Sequence, residues 1–247
     1  MSKTYLAKVL KQALNTFTSK NSEIFSTNFA TLIALLDKVT TEHVDFPTQI
    51  LDPKVWTLPD KAPVSCITIY EDSKISMGIF ILKPNGKLPL HNHPDMHGLI
   101  KVLAGQVKIV SYSINTEKTK EIDLKSHQGS MDRLAMPPVS NKPGLVTAEL
   151  VEITVANSNS PPCVLNPNFK NLHEIQSVNE PAAFLDILSP PYDCPEPGSE
   201  TRTCSYYSKL CQVSPDVYRL QETISPSWYW TDSIPYTGPD LEAEVIF

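Results

Sequence analysis

Apolar residues along this chain change their spacing once, near residue 47. Before that point they recur at helical intervals: Leu6, Val9, Leu10, Leu14 and Phe17, then Phe29, Leu32, Ile33, Leu36 and Val39. Residues three and four apart lie on one side of an α-helix, so these sets predict two amphipathic helices. Ser26, Thr27 or Asn28 is positioned to cap the second, since a short side-chain oxygen can accept from the free N–H groups of a first turn. After Pro47 the apolar runs are short and alternating. They predict strands at Val64–Glu71, Ile75–Leu82, Leu99–Leu103, Val107–Ser113, Ser130–Met136, Leu145–Ala156, Leu172–Ser177, Ala183–Leu188, Ser205–Val213 and Tyr218–Thr223. Val151, Ile153 and Val155 against Glu152 and Thr154 give the cleanest alternation, which predicts a strand buried on its apolar side.

Prolines number 22 and glycines 8, spread between these runs in turns such as Pro84-Asn85-Gly86 and Lys142-Pro143-Gly144. Proline breaks helices, so this usage favours many short strands. The expected fold is mainly β, a double-sheet jelly-roll barrel with N-terminal helices. Residues 1–45 are expected to pack as a helical segment on a barrel spanning 46–247, the whole forming one structural unit.

A net charge of −6 gives no electrostatic footprint for nucleic acid or a membrane surface. No run reaches the ~18 apolar residues of a membrane span, and the opening Met1-Ser2-Lys3-Thr4-Tyr5 lacks the apolar stretch of a signal peptide. The five cysteines, Cys66, Cys163, Cys194, Cys204 and Cys211, show neither a CxxC pair nor a disulfide framework. Together these features predict a cytoplasmic protein.

The chemistry is concentrated in Pro89-Leu90-His91-Asn92-His93-Pro94-Asp95-Met96-His97-Gly98, which holds three of the six histidines. Side chains two apart on a strand share a face, so His91 and His93 can converge on one metal. The other reading of this segment is a solvent-exposed polar loop, for which Asn92, Pro94 and Asp95 leave room. Pro94 interrupts the strand, so His97 need not share that face; it could bind metal, donate a hydrogen bond or touch substrate. His173 alternates with Leu172 and Glu174 and shares a face with Ile175, which would point it inward. His43 and His127 sit in polar contexts and read as solvated.

The run from Gly86 through His91 and His93 to Gly105 resembles the first cupin motif, and Asn171-Leu172-His173 the second. Where cupins often carry a glutamate, four residues after the second histidine, this chain has His97, which leaves a three-histidine site. More closely, the chain resembles the cysteamine (2-aminoethanethiol) dioxygenases and plant cysteine oxidases. The resemblance rests on the His91–His93 segment with Met96–Leu103, on Asn171-Leu172-His173, on Phe184–Leu188 with Pro190-Pro191-Tyr192-Asp193, and on Cys204-Ser205-Tyr206-Tyr207.

That resemblance implies one Fe(II) held by His91, His93 and His173, and a reaction that places both atoms of O2 on a thiol sulfur to give a sulfinic acid. Three neutral imidazoles leave the full charge on the metal, which favours an anionic thiolate from the substrate. The implied partners are O2 and a small thiol or a peptide with an N-terminal cysteine, taken by a monomer. Any oxygen-sensing role would depend on oxygen affinity. Asp186 lies in an apolar run, where a lone carboxylate is costly without a partner. It is expected either to meet the substrate amine or an adjacent water, or to form a structural salt bridge or backbone contact. Tyr192 could lend its phenol to the same pocket. Cys204 and Tyr206, two apart, would share a strand face, and the resemblance implies a thioether cross-link between them; a plain cysteine beside a core tyrosine is the alternative.

Substrate choice has one clue. The chain has only three arginines, Arg133, Arg202 and Arg219, and free cysteine would need a cation for its carboxylate. This leans toward cysteamine or a peptide. The competing classes are a zinc or manganese cupin isomerase, which would want a carboxylate ligand and a basic cluster, and a cupin binding protein without catalysis.

Overall fold

The computed structural model describes residues 3–120, 144–194 and 202–241. The expected strand at Ser130–Met136, with His127 and Arg133, lies outside the described residues.

Two helices, α1 (Lys3–Phe17) and α2 (Ser22–Leu36), open the chain. The first buries Leu6, Val9, Leu10 and Ala13, and the second Leu32 and Leu36, as their spacing requires. The cap of α2 differs from expectation. Asn21 is the N-cap, accepting from the N–H groups of Glu23 at 2.9 Å and Ile24 at 3.1 Å. Ser26 and Thr27 lie inside the helix, where their hydroxyls donate back to the carbonyls of Ser22 and Glu23. Phe25, half-buried four residues before Phe29, extends the apolar face into the first turn, one turn earlier than the set beginning at Phe29. Val39 lies beyond the helix end yet is buried.

Short 3-10 turns at Thr41–Val44, Thr48–Leu51 and Pro53–Thr57 fill the stretch between the helices and the first strand. Asp52 caps the third by accepting from the Lys54 N–H, and Pro53 starts it with its fixed φ. His43 is half-buried rather than solvated: its ring packs on Tyr5 at 4.6 Å, and its Nδ1 accepts from the Thr40 N–H.

Twelve strands follow among the described residues: β1 (Val64–Glu71), β2 (Ser76–Leu82), β3 (Lys87–Asn92), β4 (His97–Ala104), β5 (Gln106–Ile114), β6 (Leu145–Asn157), β7 (Cys163–Leu165), β8 (Leu172–Ser177), β9 (Ala182–Ser189), β10 (Tyr206–Ser214), β11 (Val217–Thr223) and β12 (Thr231–Ser233). One sheet has the order β12-β1-β2-β9-β4-β7, and the other closes on itself as β10-β11-β6-β5-β8-β3. The expected mainly-β barrel with N-terminal helices is the architecture found.

Strand alternation sorts side chains between three packed layers. Met77, Ile79, Ile81, Leu99, Leu185 and Ile187 face the helices in one cluster. Their neighbours Leu82, Ile100, Val102 and Phe184 face the second sheet, where they meet Leu88, Ile109 and Ile175. Lys101 is also on the helix side; its Nζ donates to the Ser160 carbonyl at 2.8 Å and to Asp37 at 3.2 Å, tying the end of α2 to the barrel. We expect Leu10→Ala, at a fully buried position of α1, to lower unfolding free energy by about 2–5 kcal/mol in denaturant titration. Metal content of the folded variant should be unchanged, because the helices cover the face opposite the histidines.

One strand reverses its predicted sidedness. On β6 the apolar residues Ile153 and Val155 are 55% and 54% exposed, more so than Thr154 between them, which is half-buried. Alternation announces a two-faced strand, but the pairing of β6 with β5 decides which face turns inward.

Candidate metal centre

His91, His93 and His173 come together between the two sheets. His91 lies one residue before the end of β3, and Pro89 shapes its approach. Proline has no N–H to give the β3–β8 ladder, and the register shifts between Leu88 and His91. The Pro89 carbonyl lies 2.8 Å from His91 Nδ1 and accepts its proton, which leaves Nε2 as the lone-pair nitrogen. His93 follows directly after β3, its backbone N–H donating to the Asn171 carbonyl at 2.8 Å. His173, on β8, is the register partner of His91. Alternation sends Leu90 and Leu172 to the opposite side, into a separate apolar cluster.

The three rings stand 4.6–4.8 Å apart, centroid to centroid. One nitrogen from each lies within 4.8 Å of the other two. All three residues are buried, which pushes their pKa values down, His91 to about 4 and the others well below the ordinary imidazole value. The mutual proximity of the rings pushes His93 and His173 further in the same direction. Neutral imidazoles are metal ligands. Nδ1 of His93 is buried without a hydrogen-bond partner, a costly arrangement that a bound cation would relieve. The donor set therefore fits a metal ion.

The cluster opens on a small cavity of about 40 Å³, walled by Phe80, Leu88, Ile100, Phe184 and Leu188 and by one carboxylate, Asp186. Phe80 and Phe184 stack at 5.6 Å across the adjacent strands β2 and β9. Asp186 sits on β9 between Phe184 and Leu188 on the inward side, with a buried Oδ1 that has no partner. Burial raises its carboxyl to about 7, opposed by the Ile187 N–H. It forms no salt bridge among the described residues.

Tyr192 borders the same cavity, its ring 5.7 Å from that of His93 and its hydroxyl donating to the Asn92 carbonyl at 2.5 Å. Tyr206 is the register partner of His91 across β10 and β3, with the rings 6.5 Å apart. Cys204 does not share a strand with it, because β10 begins at Tyr206. Asn92 holds that junction instead: its backbone N–H donates to the Ser205 carbonyl, and its Oδ1 accepts from the Ser205 N–H at 2.8 Å. The Cys204 sulfur nevertheless lies beside the phenols of both Tyr192 and Tyr206, and burial raises its thiol to about 11.

His97 stands elsewhere. It begins β4 on the helix-facing side, inside a cage of Phe17, Phe25 and Phe29 with ring centroids 5.2–5.9 Å away. Asp95, with φ of 55° in the turn after Pro94, marks where the chain reverses between His93 and His97. The sequence reading passed over Asn92, although it lies between the paired histidines. It also passed over Tyr229, whose ring lies 5.9 Å from that of Tyr206. No local signal marks Tyr229, since only the fold brings it near the site.

Comparison with known proteins agrees with this arrangement. The PCO_ADO family model matches residues 35–241. The 2-aminoethanethiol dioxygenase of Homo sapiens is 34% identical, over 88% of this chain and 82% of that protein. The 2-aminoethanethiol dioxygenase of Mus musculus is 35% identical, over 96% of both. Plant cysteine oxidase 1 of Arabidopsis thaliana is 28% identical, over 65% of this chain and 48% of that protein. A three-histidine cluster at the heart of a β-barrel, in a chain matched along most of its length, places this protein in the PCO_ADO family of thiol dioxygenases.

Proposed function

We propose that this chain is an iron(II) thiol dioxygenase that oxidises cysteamine, or the N-terminal cysteine of a peptide, to a sulfinic acid. The observation that carries the reading is a set of three buried neutral imidazoles with no carboxylate among them, beside one carboxylate whose buried Oδ1 lacks a partner. His91, His93 and His173 would hold the metal, which supplies a site for thiolate and for O2 activation. The sulfur gains both oxygen atoms of O2 and supplies all four electrons, so no further reductant enters. The relatives' names carry the same chemistry.

Within the protein, Asp186 receives the ammonium of the substrate, which restores a favourable setting for its buried charge. Tyr192 and Tyr206 order the thiol end of the pocket through Cys204 and the strand carrying His91. His97 belongs to the helix contact and serves the site only by anchoring β4. Neither Arg202 nor Arg219 lines the cavity beside the histidines, nor does any lysine, which supports an amine-bearing substrate without a free α-carboxylate. All five cysteines are free thiols, in keeping with a reducing, cytoplasmic setting; no described helix is long and apolar enough to cross a membrane.

The test is oxygen uptake with mass detection on cysteamine, free cysteine and an N-terminal-cysteine peptide. We expect gain of two oxygen atoms on cysteamine or the peptide, with free cysteine at least tenfold slower. Oxidation of none of the three by iron-loaded protein would reject the reading. Elemental analysis should find near-stoichiometric iron; zinc with no thiol oxidation would favour another cupin class.

Contact between the Cys204 sulfur and the Tyr206 phenol gives a further expectation. After turnover with iron, O2 and thiol, a fraction of the protein should have lost two hydrogens, mapped by peptide analysis to Cys204–Tyr206. Cys204→Ala should prevent the loss while keeping some oxidation. Unchanged mass after many turnovers would exclude the cross-link and leave the histidine assignment standing.

A further inference from the structure

The cavity beside the histidines is far too small for a peptide, so any chain beyond a cysteine must leave it. Among the described residues, two larger cavities adjoin it. One, of about 620 Å³, touches the site only at Ile100 and His173, and its charged groups Glu152 and Lys170 are paired with each other. The other, of about 180 Å³, shares four wall residues with the site: Phe80, Asp186, Leu188 and Tyr192. It runs along the inward side of β1 and β2 toward their hairpin end.

Gly78 keeps this second route open. It is the register partner of Asp186 across β2 and β9, and a Cβ there would lie only 3.0 Å from the Ile67 carbonyl oxygen. Beyond it the walls are Thr68, Ser76 and Glu71, with Thr68 and Glu71 exposed. The charged side chains lining this cavity are both acidic, Asp186 at the inner end and Glu71 at the rim. Glu71 has no ion-pair partner among the described residues.

We propose that the groove from Asp186 to Glu71 receives the peptide chain that follows an N-terminal cysteine, and that Glu71 selects a basic side chain near its third residue. This rests on the thiol dioxygenase reading and specifies its substrate. The spacing supports the position. Ser76, paired with Glu71, is two residues along β2 from Gly78, which is about 7 Å of strand. An extended peptide covers that distance in about two residues. If the terminal ammonium meets Asp186, the third side chain reaches the rim. Complementary charge there speeds encounter and discriminates between partners.

The experiment compares Cys-Gly-Lys-Gly-Gly with Cys-Gly-Glu-Gly-Gly on the iron-loaded full chain, as a ratio of kcat/KM, so that the active fraction cancels. We expect the lysine peptide to be favoured at least fivefold, and Glu71→Lys to bring that ratio to one or below. A ratio near one in the unaltered protein, or one unmoved by Glu71→Lys, would overturn the groove. A second readout does not need turnover: the lysine peptide extended by a benzophenone-bearing residue is photo-cross-linked, and the adduct is mapped. Adducts within residues 68–78 support the groove even if neither peptide is oxidised, a result that would count against the enzymatic reading alone. Adducts at residues 160–170, or none, would overturn it.

Discussion

His173→Ala should abolish both metal content and turnover. The substitution removes one of three converging nitrogens and leaves His91 and His93, which come from one short segment and cannot by themselves surround an ion. Loss of a residue that merely orients a metal ligand typically costs 10- to 100-fold in affinity. Loss of the ligand should exceed that, leaving metal below detection after dialysis. The fold should persist, because the β8 backbone still pairs with β3 and β5, and Leu172 and Ile175 keep their apolar clusters. Elemental analysis, with circular dichroism as the control for folding, checks this. Full iron occupancy in a folded variant would remove His173 from the set. Asp186, the carboxylate lining the same cavity, would then be the residue to test as a replacement.

Asp186→Asn should keep the metal and lose most of the turnover. The amide matches the carboxylate in shape, so the stacked Phe80–Phe184 pair and the strand around it have no reason to move. What disappears is the negative charge facing the substrate amine. A hydrogen bond to a charged group contributes about 1.5–3 kcal/mol, which corresponds to roughly a tenfold to hundredfold fall in kcat/KM for cysteamine. The decisive control is a thiol without an amine. Its slower oxidation should be nearly the same in both proteins, since it never engages the carboxylate. Equal loss for both thiols would assign Asp186 to ordering the site in general, and unchanged kinetics would make it structural.

Much of this site could be read along the chain. Two-residue spacing put His91 and His93 together, and alternation around His173 and Asp186 pointed both inward, as the structure has them. Those inferences hold because a strand has only two faces, and its apolar neighbours reveal which one is buried. The same reasoning failed on β6, where both faces carry plausible residues and pairing decides between them. It also failed at the start of α2, where the apolar set was begun at Phe29 although Phe25 lies one turn earlier on the same side.

Other features depend on pairs of residues far apart in sequence. His97 is four residues from His93, yet the turn at Asp95 and the register of β4 send it into the phenylalanine cage of the helices. Asn92 secures the Cys204–Tyr206 segment over more than a hundred residues, and Tyr229 arrives from a later segment still. The acidic groove exists only because Gly78 on β2 lies beside Asp186 on β9. The sequence by itself determined the helices and most strands, the three histidines that converge and the inward carboxylate, because those follow from local period and side-chain chemistry. Tertiary structure alone decided the orientation of His97, the exposed face of β6 and the route away from the site, because strand register and sheet closure set distances that no local spacing contains.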